Sequence, residues 1–172
     1  PYGPTTAEQC HPQFKVAYEG HECQWNGPSW PYATSMTLVG LANLLNNQTQ
    51  SFVDSRDFIT LFSIYARSLY KKDANGILTP WIDENLNPFT GDWISRTMLS
   101  TRQKPEERGK DYNHSLFCDL VINGLIGIRP SEEEELDVNP LIPEGYWDYF
   151  CLDNLTYRGK TICVLYDKTG DK

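Results

Sequence analysis

No stretch of this sequence approaches the ~18 consecutive apolar residues that a membrane-spanning helix requires, and nowhere do Lys and Arg cluster. The first absence excludes an apolar spanning segment. The second, with 15 basic against 23 acidic side chains and a net charge of −8, argues against nucleic acid and anionic membrane as partners. None of the five cysteines (Cys10, Cys23, Cys118, Cys151, Cys163) forms a CxxC pair, so zinc-ribbon and thioredoxin spacings are missing. One disulfide, such as Cys10 to Cys23, would fit an oxidising compartment. There is no glycine-rich phosphate loop, no readable Ser-His-Asp or Cys-His arrangement and no metal-ligand spacing. The chain opens at Pro1-Tyr2-Gly3-Pro4 with neither an initiator Met nor a signal peptide, so we expect a mature or excised piece.

What is present is a globular composition. The 172 residues fit one ordinary domain, and 40% of them are hydrophobic, enough for a real core. Five Trp, ten Tyr and seven Phe are many for this length. Aromatic rings pack cores, but they also line sugar sites, where an apolar ring face stacks on the sugar. Three sequons, at Asn47, Asn113 and Asn154, matter only in a secretory setting.

Residues 1 to about 30 are rich in Pro, Gly and polar side chains and read as an irregular loop carrying Trp25 and Trp30. Helical spacing of Met36, Val39, Leu41, Leu44 and Leu45 follows, up to Asn46-Asn47. A second helix is capped by Asp54 or Ser55 and carries Phe58, Leu61, Phe62, Tyr65 and Leu69, with Lys71 and Lys72 at its C-terminal end. These two form a helical hairpin. Residues 73 to about 111 show little regular period and hold the densest polar and aromatic content, including Arg96 and Arg108. A third helix is expected from about Ser115 to Ile126, ended by Gly127. Beyond the acidic run Ser131 to Glu135 the pattern turns β-rich, with a hairpin turn at Tyr157-Arg158-Gly159-Lys160.

Three segments carry residue types suited to chemistry. Trp25-Asn26-Gly27-Pro28-Ser29-Trp30 places two indoles around an amide, at a turn forced by Gly27-Pro28. Trp81-Ile82-Asp83-Glu84-Asn85-Leu86-Asn87-Pro88-Phe89-Thr90-Gly91-Asp92-Trp93 places adjacent carboxylates among amides and tryptophans. Glycosidic hydrolysis needs such groups: one carboxylate deprotonates water while another protonates the leaving oxygen. The bland alternative is a turn in which Asp83 and Asn87 cap backbone groups and Glu84 is solvated, and for residues 25–30 one in which the tryptophans merely pack. His114, in Asp111-Tyr112-Asn113-His114-Ser115, is a further polar candidate at a helix start.

In this order these segments resemble the C-terminal part of six-hairpin (α/α)-barrel glycosidases, the group around glycoside hydrolase family 63 and mannosylglycerate-hydrolase-like domains. Residues 25–30 resemble that group's W-x-G-P-x-W motif. Glu84-Asn85-Leu86-Asn87-Pro88-Phe89-Thr90-Gly91 is similar to its E-N-Y-N-P-x-T-G motif, with Leu86 where an aromatic is usual. The resemblance implies a mainly α fold with a β-rich C-terminal tail, part of an (α/α)6 toroid that is incomplete in this chain. Residues 1–130 are expected to form the helical hairpins and active-site loops, and residues 131–172 a β-rich appendage packed on the helices.

The implied activity is hydrolysis of O-glycosyl bonds with inversion, the substrate being an oligosaccharide or glycoside. Glu84 is implied as general base. Trp25, Asn26, Trp30, Trp81, Asp83, Asn85, Asn87, Trp93 and His114 are implied as substrate-binding or orienting residues, and no cofactor or metal is implied. No general acid is found in the residues before Glu84, so the resemblance implies a partner: the preceding part of the barrel, or another chain. Two rival readings are a non-catalytic carbohydrate-binding or scaffold domain derived from the barrel, and a barrel phosphorylase or lyase. The absence of a clear phosphate site counts against the phosphorylase.

Overall fold

Asp54 is the plainest start signal in the sequence, and in the computed structural model it caps the helix as a capping box. Its Oδ1 accepts from the backbone N–H of Arg56 (2.7 Å) and Asp57 (3.2 Å), while Asp57 Oδ2 accepts from the Asp54 N–H at 2.9 Å. The structure describes residues 1–16, 25–94, 115–132 and 135–171. Cys23, Arg96, Arg108 and His114, all singled out above, lie outside the described residues, as does the Cys10–Cys23 pairing.

Helix α1 spans Pro31–Asn47 and α2 spans Ser55–Ser68. Pro31 opens α1 at a position where its missing N–H costs nothing. The two helices run antiparallel: the Ser35 hydroxyl, near the start of α1, lies 3.1 Å from the Tyr65 phenol near the end of α2. Of the expected apolar face of α1, Val39, Leu41 and Leu45 pack half-buried against the core, whereas Met36 and Leu44 are exposed; the fully buried positions are Pro31, Thr34, Ser35, Leu38 and Ala42. Small residues on that face let α2 approach and present Phe58, Ile59, Phe62 and Tyr65 to it.

A short antiparallel ladder follows α2, β1 (Tyr70–Lys72) against β2 (Leu78–Pro80), where the sequence reading expects the end of a helix and then, from residue 73, little regular structure. Its turn is closed by Asp73, whose Oδ1 accepts from the N–H groups of Asn75 and Ile77. This corrects the placement of Lys71 and Lys72. The helix ends at Ser68, so both lysines belong to β1 and do not face the helix C-terminus.

The third helix begins as α3 (Leu116–Asp119) and continues as a π-helix over Leu120–Leu125. The Ile126 N–H reaches the Val121 carbonyl at 2.9 Å, an i→i+5 bond. Residues five apart then lie nearly over one another, which brings both Leu120 and Leu125 into the core with Leu38, Phe58, Phe62 and Leu141. Phe62 and Phe117 stack at 5.1 Å, and Tyr65 meets Phe117 edge-on at 5.1 Å. Each such ring burial contributes about 1.5–3 kcal/mol.

Gly127 takes φ +76° and turns the chain into β3 (Ile128–Arg129), which pairs with β4 (Asp137–Val138). The segment after β4 docks on the helices: the Leu141 N–H bonds the Leu125 carbonyl (3.1 Å), and Asn139 Nδ2 donates to Asn46 Oδ1 (2.6 Å). The last element is a long hairpin of β5 (Tyr149–Tyr157) and β6 (Lys160–Asp167). Its turn residues Arg158 and Gly159 both have positive φ, as a two-residue hairpin turn demands. Among the described residues the architecture is therefore three helices with small antiparallel sheets. No helix of the described residues is long and apolar enough to cross a membrane.

Candidate functional site

Residues 29 and 86 are far apart in sequence, yet they exchange both backbone hydrogen bonds, each 2.9 Å long. Leu86 is the middle strand of a three-layer strap, bridged to Ser29 on one edge and to Trp93 on the other. On the Trp93 side the Asn87 N–H donates to the Asp92 carbonyl (2.8 Å) and the Ile94 N–H to the Asn85 carbonyl (3.1 Å). The strap is buried, with Leu86 only 1% exposed. An aliphatic residue suffices at that position because the strap is held through its backbone and its side chain has only to fill space.

Each end of the strap has a local cause. Asn87 Oδ1 accepts from the N–H groups of Phe89 (2.9 Å) and Thr90 (3.2 Å), which folds Asn87-Pro88-Phe89-Thr90 into an Asx turn. Gly91 completes it at φ +80°, with the Tyr2 ring packed against the space a side chain would need. Tyr2 also donates its N–H to the Pro88 carbonyl at 2.8 Å. Asn87 thus shapes the loop, as the bland reading of the sequence anticipates for Asn87 and Asp83.

Asp83, Glu84 and Asn85 alternate in exposure. Asp83 and Asn85 are buried at 2% and 1%, and Glu84 between them is half-buried. Asp83 Oδ1 accepts the backbone N–H of Glu84 at 2.8 Å. The two adjacent carboxylates therefore have different surroundings: Asp83 holds main chain inside the fold, and Glu84 is the one that water can reach. A half-buried carboxylate beside a backbone-bridged strap can be reached by the water that a general base would deprotonate.

Beside the strap, Trp25 stacks on Trp30 with ring centroids 4.2 Å apart and planes at 17°. Trp30 is 2% exposed and Trp25 49% exposed, so the pair presents one indole face outward over a buried one. Asn26 turns away from this stack. Its Nδ2 donates to the Gln13 carbonyl (2.9 Å) and its own carbonyl accepts from the Lys15 N–H (2.9 Å). Gly27 lets the segment at Lys15 approach: a Cβ there would lie 2.1 Å from the Lys15 carbonyl oxygen. Thr6 adds a hydroxyl bond to the Pro28 carbonyl at 2.8 Å.

Two further tryptophans lie on the β1–β2 side. Trp93 is 4% exposed and donates Nε1–H to the Tyr70 carbonyl at 3.3 Å. Trp81 is half-buried beneath Lys71, whose Nζ sits 5.4 Å from the ring, and it lines a cavity of about 510 Å³ with Leu69, Tyr70, Ile82 and Phe117. The structure thus brings the 25–30 and 84–93 segments together through Ser29 and Leu86 and ties Trp93 to the same strap. The buttress made by Tyr2, Thr6, Gln13 and Lys15 leaves no signal in the sequence. It has no periodicity, and its bonds run mostly through main-chain atoms that sequence does not display. Among the described residues no group of three or more His, Cys, Asp or Glu is arranged to hold a metal ion.

Comparison with known proteins adds two family matches and one structural one. Residues 1–115 match the mannosylglycerate hydrolase MGH1-like glycoside hydrolase domain. Residues 128–172 match the C-terminal domain of glycosyl hydrolase family 65. A solved structure titled "Sialidase" superposes with a TM-score of 0.85 and 41% sequence identity over 100% of this chain. The chain spans 15% of the length of that protein.

Proposed function

The chain belongs to the mannosylglycerate hydrolase MGH1-like glycoside hydrolase family, and on that premise we propose that Glu84 is the general base of an inverting O-glycosidase. A glycosidase-related role follows from the family. The base assignment rests on one observation: of the two adjacent carboxylates, Asp83 is buried against the Glu84 backbone N–H, leaving Glu84 as the one that reaches solvent. Inversion needs a base and an acid ~6.5–9.5 Å apart with a water between them.

In this reading the outward face of Trp25 and the rim at Trp81 stack on the sugar, while Trp30, Asp83, Asn85, Asn87 and Trp93 hold the strap that aims Glu84. Asn26 and His114 belong to the same set of substrate-side residues, Asn26 acting through the loop it anchors. Residues 1–130 are hairpins and loops of an (α/α)6 toroid, and residues 131–172 its β-rich appendage. The general acid comes from outside these residues, from the rest of the barrel or another chain, and the substrate is an oligosaccharide or glycoside.

The test is Glu84→Gln in the complete protein. The amide keeps the shape of the carboxylate but cannot take a proton from water, so kcat on a cleavable glycoside should fall ~10²–10⁴-fold with the melting temperature unchanged. A folded Glu84→Gln enzyme with near-parental kcat removes Glu84 from the mechanism and moves the carbohydrate-binding scaffold ahead.

A further inference from the structure

The terminal hairpin carries two cysteines on the same exposed face, Cys151 on β5 and Cys163 on β6. They are not directly opposed: Cys151 pairs with Leu165. The ladder shifts register between Leu152 and Leu155, where Asn154 takes a left-handed φ of 59°. Such a bulge increases the local twist, and the twist draws diagonal neighbours on one face together. The result is a Cys151–Cys163 Sγ–Sγ separation of 3.5 Å. Among the described residues the hairpin pairs with no third strand, and a two-stranded hairpin is marginally stable by itself.

We propose that Cys151 and Cys163 form a cross-strand disulfide that staples the β5–β6 hairpin, made by exchange with a small-molecule disulfide of the glutathione class. One thiolate attacks a sulfur of that reagent, giving a mixed disulfide and one small thiolate. The second cysteine attacks the mixed disulfide at the protein sulfur and expels the second small thiolate. The two protein thiols lose two protons and two electrons, the protons ending on the two released thiols and the electrons in the reduced reagent. Hydrogen bonding with Cys151, followed by desolvation, pushes the Cys163 thiol up, which is why the exchange is run at mildly alkaline pH. Cys10 and Cys118 are exposed as well and serve as internal comparisons.

The experiment takes the full chain, reduced, then equilibrated with oxidised glutathione at mildly alkaline pH, with remaining thiols alkylated and peptides mapped by mass spectrometry. The expected product is a linked peptide pair containing Cys151 and Cys163, lighter by two hydrogens than the reduced pair. Hydrogen exchange at the β5 and β6 amides should slow at least about tenfold, as expected when a short loop is closed covalently. Cys151→Ser should abolish both effects, and Cys118→Ser should abolish neither. Alkylation of both Cys151 and Cys163 after equilibration, persistent glutathione adducts on each, or linkage of either to Cys10 or Cys118 would overturn the proposal.

Discussion

Replacing Gly27 by Ala adds one methyl group to a buried turn, and the structure specifies what that methyl meets. The new Cβ lies 2.1 Å from the Lys15 carbonyl oxygen and 2.6 Å from its carbon. Both are backbone atoms, so the two segments must part. Separation strains or breaks the Lys15 N–H to Asn26 carbonyl bond and the Asn26 Nδ2 to Gln13 carbonyl bond, each 2.9 Å. Overpacking of this kind costs about 1–3 kcal/mol, and each partly exposed hydrogen bond adds about 0.5–1.5 kcal/mol. Since motion that relieves the clash is the same motion that lengthens the bonds, the contributions overlap, and about 2–4 kcal/mol is the expected loss.

The matched comparison is Gly40→Ala, in the exposed part of α1, where an added Cβ has no neighbour within 4 Å. That change should stabilise by about 0.8–1.0 kcal/mol through helix propensity. Urea unfolding of parent and both variants, with the slope checked for constancy, gives both values. A Gly27→Ala variant within about 0.5 kcal/mol of the parent, the range of an ordinary surface substitution, would show that the Gln13 and Lys15 part of the buttress does not bear on the Trp25–Trp30 turn.

Other outcomes can be measured on the same preparation. Asp54→Ala removes the side-chain half of the capping box, its bonds from the Arg56 and Asp57 N–H groups, and should cost about 0.5–2 kcal/mol in urea unfolding, with little change in helix content by circular dichroism. Tyr65 is buried beside Ser35, and desolvation raises its pKa above the usual value of 10.0, the Ser35 hydrogen bond partly opposing this. A raised folded pKa means that the stabilisation is complete below pH 10 and is lost as pH climbs through the folded value. Tyr65→Phe should therefore flatten the alkaline limb of stability against pH, and an unchanged limb would assign that loss to other groups.

What the sequence shows of this fold follows the strength of each local signal. Helix α2 is readable because Asp54 caps it and Phe58, Phe62 and Tyr65 repeat at helical spacing. Helix α1 is readable in its end and in Val39, Leu41 and Leu45, which pack on the core, but the fully buried centre of its inner face joins Leu38 to Thr34, Ser35 and Ala42, which no hydrophobicity count selects. The β1–β2 ladder escapes notice because its strands are three residues long and exposed on every side chain. The candidate site divides the same way. The Asx turn at Asn87 and the adjacent carboxylates Asp83 and Glu84 are visible as residue types. The Ser29–Leu86–Trp93 strap consists of single main-chain bridges, and backbone pairing of that length leaves no period to read.

That strap has a consequence for how such a site diversifies. An amide and a carbonyl pair in the same way whatever side chains flank them. The junction of the two segments is therefore blind to the identity of residue 84 or residue 25, provided 86 stays apolar and 27 and 91 stay glycine. Chemistry and scaffold are inherited through different atoms. A lineage built on this plan is free to exchange an acid for an amide, or one ring for another, and so change what is bound or cleaved while every Cα keeps its place.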